Sequence, residues 1–326
     1  MLRARARRLD YIIIPDAATA LLVLRRGNLD VYPQVPAREF ARLRASPAAR
    51  TALRLYSTTS FDVVTAGFNT HRPALANALT RQALNRCFDA AGLLRATQLG
   101  GEQRTVSIIS PTDKINYNDS LALVPFDLRG AAELLRQAGW QRSSPAGAGW
   151  FRNDAQGTRQ QLSLAVQYRA DELLFATVAL QFQAAAAQLG IPVTLQPAEA
   201  GVFSMAVRNG NFDVCIRVLK GDPFIFNFIP ILHSLGVGAG NTTGFSTPAS
   251  DRLIETITTA DTPVYRARLL LRFQALMQQE VPLVPLFFLP NRLTADKRLA
   301  SLHVSSLGPG YSAATIERGP TPSPTP

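Results

Sequence analysis

The spacing of hydrophobic and polar positions changes repeatedly along the chain. Residues 17–26 carry apolar side chains at helical spacing and run into the turn Arg26-Gly27-Asn28, followed by the short strand Leu29-Asp30-Val31-Tyr32. A second helical pattern over 37–45 closes at Ser46-Pro47. Between Leu53 and Asn69 the pattern predicts two strand-like stretches, of which 63–68 is the more apolar. Residues 79–90 place Leu79, Ala83, Leu84, Cys87 and Phe88 on one helical face. Asp127 is placed to cap a helix over 127–138 that stops at Gly139, and Asp171 to cap a long helix reaching Leu189. That long helix should turn Leu174, Val178, Phe182 and Ala185 inward. A strand over 191–195, a helix near 199–208 and a strand opening at Phe212 follow, with Val193, Leu195, Phe212 and Val214 expected in the core. Two helices, about 249–260 and 263–280, precede a strand over 282–289 that is apolar throughout.

Helices alternating with nearly continuous apolar strands predict an α/β fold whose strands are covered on both faces. No repeat of solenoid period is visible. The last apolar run, 281–289, is strand-length and broken by Pro282 and Pro285, so it does not predict a membrane span.

Composition narrows the partners. The 326 residues are 47% hydrophobic and 17% charged, which fits a globular chain. The net charge of +11 would suit a polyanion ligand, but three of the 34 basic residues are lysines (Lys114, Lys220, Lys297) and the other 31 are arginines spread along the whole length. The dense cluster is Arg3, Arg5, Arg7 and Arg8, so no nucleic-acid partner is expected. Cys87 and Cys215 have no metal-ligand spacing and read as small core residues. The N-terminus is basic but its apolar patch ends at Asp16, without the apolar segment and cleavage site of a secretory signal. The tail from 313 to 326 is rich in Pro, Ser and Thr near its end and is expected to be disordered.

Motifs for catalysis are missing. His71, His233 and His303 lie far apart, with neither HExxH nor GxSxG, so neither a catalytic residue nor a metal ligand is expected. The glycine-rich run Gly236-Val-Gly-Ala-Gly240-Asn241 lacks the Lys-Ser/Thr ending of a phosphate loop and reads as a flexible loop, or as one whose backbone can approach a ligand closely. Asp89, Asp127, Asp171 and Asp251 sit at helix termini, where a carboxylate compensates free N–H groups. Asp222 differs, because it ends an apolar strand in Lys220-Gly221-Asp222-Pro223. Two readings stand: an ordinary polar turn, or a carboxylate aimed at a ligand's ammonium.

Several stretches together resemble the extracellular solute-binding proteins of peptide and nickel ABC importers, solute-binding family 5. Arg25-Arg-Gly-Asn-Leu-Asp30 resembles the family's L-x-x-G-E-I-D turn, and Gly67-Phe68-Asn69 with Leu79-Thr-Arg81-Gln82-Ala83-Leu84 its F-N…V-R-Q-A-L segment. Residues 127–140 are close to D-P-x-K-A-x-x-L-L-x-x-A-G-W. Leu189-Gly190-Ile191 with Asn211-Phe212-Asp213, Asn241-Thr-Thr-Gly-Phe245, Asp251-Arg-Leu-Ile254 and Pro282-Leu-Val-Pro285-Leu286 continue the match in order. Each is weak alone; their order over residues 20–300 is specific.

The resemblance implies a periplasmic-binding-protein-like fold of type II, with a peptide or similar small solute held between two lobes, no cofactor and no turnover. It implies ABC permease partners and a periplasmic or cell-surface location. Members normally carry a signal peptide and a further stretch before the element matching residues 12–32. The expected organisation is therefore one complete α/β lobe (66–285) and a partial first lobe (1–65, with return strands over 286–312). Two crossing segments, near Gly67-Phe68-Asn69 and Phe287-Phe288-Leu289, would serve as the hinge. In oligopeptide-binding relatives an aspartate nine positions after the F-D aspartate holds the peptide's amino terminus; from Asp213 that position is Asp222. The family's G-W before it is Val218-Leu219 here, and Lys220 could neutralise Asp222. Lys220, Asn69, Asn241 and Phe245 are expected to line the same ligand site as Asp222. The alternative role is a protein-interaction piece that docks on a partner chain supplying the missing part.

Overall fold

The computed structural model describes residues 6–97, 100–142, 149–153 and 157–319. Arg3 and Arg5 of the basic cluster, and residues 320–326 of the Pro/Ser/Thr tail, lie outside them. The chain divides into two compact units, one of Met1–Phe61, Gln98–Gln103 and Leu289–Pro326, the other of Asp62–Thr97 and Arg104–Phe288.

The first unit opens with α1 (Ala17–Arg25), where the Asp16 carboxylate accepts the Thr19 N–H at 2.6 Å and Ala20, Leu21 and Leu24 are buried. Gly27 leaves the helix at φ +74°, a conformation that suits glycine, and β1 (Val31–Tyr32) follows. Ser46-Pro47 is not the end of helical structure. It joins α2 (Ala37–Ala45) to α3 (Pro47–Ala52), with Pro47 in the first turn and Ser46 Oγ accepting the Ala49 N–H at 3.3 Å. Leu21, Leu24, Val35, Phe40, Leu43 and Leu53 form this unit's core.

The expected pair of strands over 53–69 is one strand, β2 (Leu53–Phe68), which passes from the first unit to the second. Its polar middle disguised its continuity. Those hydroxyls are bound within the first unit, Thr58 Oγ1 donating to the Ser305 carbonyl at 3.1 Å and Ser60 Oγ to that of Leu289.

In the second unit the expected helix over 79–90 is two, α4 (Ala78–Asn85) and α5 (Ala90–Thr97). Gln181 holds the break, accepting the Asp89 N–H at 3.1 Å and donating to the Cys87 carbonyl at 3.0 Å. Phe88 there stacks on Phe182 with ring centroids 4.4 Å apart. After the short β3 (Gln103–Arg104) comes α6 (Leu128–Gln137), whose cap is Asp127 as the sequence predicts. A small antiparallel sheet of β4 (Gln141–Arg142), β5 (Trp150–Asn153) and β6 (Arg159–Gln161) was not foreseen, and Trp150 anchors it by donating Nε1–H to the Leu189 carbonyl at 2.8 Å.

Next come β7 (Leu164–Arg169), α7 (Leu173–Gln188), β8 (Val193–Ala198), α8 (Ala200–Arg208) and β9 (Val214–Leu219). Strand β7 lies parallel to both β8 and β9, and β2 runs antiparallel to β9 from Val63 opposite Leu219 to Phe68 opposite Val214. Val178, Phe182, Ala185, Phe212 and Val214 are buried as predicted. Leu174 is only half-buried, and Phe175 takes the inward place. Val193 and Leu195 are half-buried too, because β8 is the end strand of the sheet. Asp171 does not cap α7; its carboxylate pairs with Arg169.

Beyond β9 come α9 (Ile229–Leu232), α10 (Pro248–Thr259) and α11 (Pro263–Glu280), packed around Phe228, Phe245, Ile254, Leu270 and Phe273. Strand β10 (Leu283–Asp296) is longer than the predicted 282–289 and returns the chain to the first unit. There β1 pairs with it, Val31 opposite Ala295, and β11 (Leu299–Ser301) pairs with β12 (Glu317–Arg318). Residues 313–319 of the expected disordered tail are thus structured: Ala313–Thr315 form a short helical turn and 317–318 a strand. The first unit also takes Gln98–Gln103, which lie within the expected 66–285 lobe. Glu102 anchors it through an ion pair with Arg292, both side chains almost fully buried.

Candidate solute-binding site

The chain runs β7-α7-β8-α8-β9, yet β7 lies between β8 and β9. The connection therefore reverses direction at β7, and in open α/β sheets the carboxyl ends of strands at such a reversal are where ligands bind. At that end β9 finishes with Val218-Leu219 and releases Lys220-Gly221-Asp222-Pro223.

Asp222 is exposed in this turn. One carboxylate oxygen accepts the Phe224 N–H at 2.8 Å, the local loop closure that aspartate makes readily. Among the described residues no cation lies within ion-pairing range of it. Lys220 does not neutralise it: its Nζ sits 3.9 Å from Asp62, which β2 brings alongside one position before the Val63–Leu219 pair. The next two side chains but one, Phe224 and Ile225, are 76% and 62% exposed. The stretch thus offers a carboxylate with spare acceptor capacity beside uncovered apolar surface.

The other predicted residues are elsewhere. Asn69 follows β2 at the amino end of β9, one whole strand away from Asp222. It is buried, and its Nδ2 donates to the carbonyls of Gly210 and Phe212 at 3.0 and 3.1 Å while its Oδ1 accepts the His71 N–H. Arg72 reinforces the same corner, reaching the Phe212 and Gly210 carbonyls and lying 3.3 Å from Asp213. Asn241 is buried as well, with Nδ2 donating to the carbonyls of His233 and Phe245 at 3.1 and 2.8 Å and Oδ1 accepting from Thr243. Thr70 ties the Asn69 corner to this loop by donating N–H and Oγ1–H to the Thr243 carbonyl. Phe245 belongs to the core around Ile254 and Phe273. Asn69 and the Asn241 loop therefore come together, apart from Asp222, and their polar side-chain atoms are engaged inside the unit.

The glycine-rich loop has a packing reason. A Cβ at Gly236 would stand 2.5 Å from the Ile229 carbonyl oxygen, and one at Gly240 2.5 Å from that of Pro230. The backbone crosses these carbonyls too closely for any side chain. His233, buried beside the loop, accepts the Leu235 N–H on Nδ1 and meets Glu255 with Nε2 at 3.3 Å. Cys87 and Cys215 are buried free thiols, and burial pushes the Cys87 thiol up to about 12. No helix among the described residues is long and apolar enough to cross a membrane, and no group of three or more His, Cys, Asp or Glu there could hold a metal ion.

In mixed α/β units with a strand-order reversal, the carboxyl edge of the sheet is the usual place for a ligand. The family of bacterial extracellular solute-binding proteins, family 5 (middle), matches residues 3–229, and the chain belongs to it. Its members are binding proteins, not enzymes. The chain is 28% identical over 284 residues to a probable di/tripeptide-binding protein 5 of Pseudomonas aeruginosa, covering 85% of this chain and 49% of that protein. It is 25% identical over 295 residues to heme-binding protein A of Haemophilus influenzae, covering 85% and 48%. The chain thus spans about half the length of these relatives. Its fold matches the oligopeptide-binding protein AppA of Bacillus subtilis, solved with a nonapeptide, at a TM-score of 0.77 and 18% identity, covering 94% of this chain and 60% of that one.

Proposed function

We propose that this chain is a substrate-binding component, or the C-terminal part of one, of an ABC importer that captures a peptide or a similar small solute outside the cytoplasmic membrane. Family membership over residues 3–229 carries this reading. The relatives named for di- and tripeptides favour a peptide among the possible solutes. Permease subunits are the partners such a component would deliver to.

Asp222 is the residue that would receive the ligand's ammonium. Lys220 is engaged with Asp62 instead, so the Asp222 carboxylate keeps its charge uncompensated by a neighbour. Phe224 and Ile225 would cover the apolar part of the ligand and exclude water from the charge pair. Asn69, Asn241 and Phe245 would act indirectly, holding the loops of the unit in place.

Native mass spectrometry of the purified chain identifies a co-purified solute, and calorimetric titration with di- and tripeptides measures affinity. Asp222→Asn should then weaken binding by about thirtyfold or more, the cost of removing one partner of a desolvated charge pair. A change below about threefold would make Asp222 a turn residue and no more. Failure of every peptide to bind, while another solute co-purifies, would overturn the peptide assignment. A docking role on a partner chain is the second reading, favoured by Tyr11 and Ile13, which are 75% and 93% exposed in sequence with Ile12. A co-purifying protein in the same spectrum would support it.

A further inference from the structure

The second unit contains a pocket separate from the Asp222 turn. It lies between the end of α4, the 104–108 segment, α11 and the first residues of β10, and it opens to solvent at its mouth. Phe88, Leu232, Phe273, Met277, Leu283 and Leu286 give it apolar walls.

Most polar groups on its lining are already bound. Gln274 donates Nε2–H to the carbonyls of Asn116 and Leu270 and accepts the Asn118 N–H. Thr105 and Ser107 bond to each other, and Gln278 donates to the Ala122 carbonyl. Asn85 and Arg104 complete the polar lining, and Arg104 is its cation. Its guanidinium lines the pocket half-buried, and one terminal nitrogen donates to the Val124 carbonyl at 3.3 Å. Its Nε–H is buried without a partner and is closed to a ligand, but the second terminal nitrogen makes no hydrogen bond among the described residues, and no carboxylate there comes within 4.0 Å of the group.

A partly desolvated cation with an unmade donor is costly unless an anion reaches it, and a guanidinium matches a carboxylate in shape and charge. Apolar walls with one convergent cationic group are the makings of a small-molecule site. We infer that this pocket binds a small monocarboxylate with a short apolar tail, its carboxylate on Arg104 and its tail against Phe273 and Leu283. The site lies wholly within the second unit and does not involve Asp222, so it stands or falls apart from the peptide reading.

Hexanoate is the probe, titrated into the full chain by calorimetry, with hexanol as the uncharged analogue of equal length. Saturable hexanoate binding at least about tenfold tighter than hexanol binding is expected, the worth of a charge-assisted hydrogen bond in such a setting. Arg104→Met keeps the bulk of the side chain and should abolish the preference while leaving hexanol affinity unchanged; Arg104→Lys should restore part of it. Equal affinities for the two probes, or no saturable hexanoate binding, would overturn the assignment and leave the pocket a packing gap. The wild-type comparison decides this even where a variant fails to fold, which melting curves would show.

Discussion

Phe182 has no solvent exposure and stacks on Phe88, so its ring fills space that neighbouring helices cannot close by small shifts. Phe182→Ala should cost about 3–5 kcal/mol in denaturant unfolding; a loss below about 1 kcal/mol would mean the site collapses freely. Arg81 is the more unusual buried side chain. Its guanidinium donates to the carbonyls of Leu75, Ala76 and Glu280 at 2.7, 2.8 and 2.8 Å, joining the start of α4 to the end of α11. Burial lowers its pKa, and Glu280 partly offsets this. Arg81→Met would orphan three carbonyls and should destabilise the chain by about 3 kcal/mol or more, measured in the same way. The sequence marked Arg81 only as a position matching the family segment. What it bonds to, carbonyls five and six residues back and at position 280, could not be read from spacing.

At the scale of elements, one bond set fastens the turn after α1 to the end of β10. Asp296 accepts from the Arg298 backbone N–H at 2.8 Å and from its guanidinium at 2.8 and 3.0 Å, and Arg298 also reaches the Gly27 carbonyl at 2.9 Å. Burial is the largest single influence on Asp296 and would raise its pKa. The side-chain and backbone hydrogen bonds from Arg298, with the charges of Arg298 and Arg318, together outweigh it and lower the value below the ordinary carboxylate range. A carboxyl held low in the folded state contributes stability above its unfolded pKa, and that contribution is lost as pH falls through the folded value. Stability of the wild type should therefore drop between about pH 5 and about pH 2 more steeply than that of Asp296→Asn, in urea unfolding at stepped pH. Equal slopes would show that Asp296 is not coupled to folding. The turn Arg26-Gly27-Asn28 was legible because glycine takes its positive φ there; the arginine that closes it lies some 270 residues away and gave no local signal.

For the whole molecule, the two units have their own cores, Leu24, Phe40 and Leu43 in one and Ile254, Leu270 and Phe273 in the other. Calorimetry should resolve two transitions, and Phe182→Ala should lower only that of the second unit. A single transition shifted as a whole would show that the units unfold as one. Division into these units follows from where β2 and β10 pass between them, together with the Gln98–Gln103 return.

Hydrophobic periodicity by itself determined the α/β class, the long helices α7, α10 and α11, and most of the inward face of α7, because such a face is set by residues three and four apart. The order of motifs along the chain determined the family. Tertiary structure decided what local spacing cannot carry. It made α4 and α5 two helices, since Gln181 pays the hydrogen bonds of the break between them. It joined the polar and apolar halves of β2, since distant backbone satisfies the hydroxyls. It also separated the candidate site residues. The antiparallel pairing of β2 with β9 brings Asn69 to the amino end of β9, whereas Asp222 follows its carboxyl end. Residue type and family position single out a ligand-seeking carboxylate or amide, but whether its acceptors and donors are already consumed depends on neighbours that only the folded chain supplies.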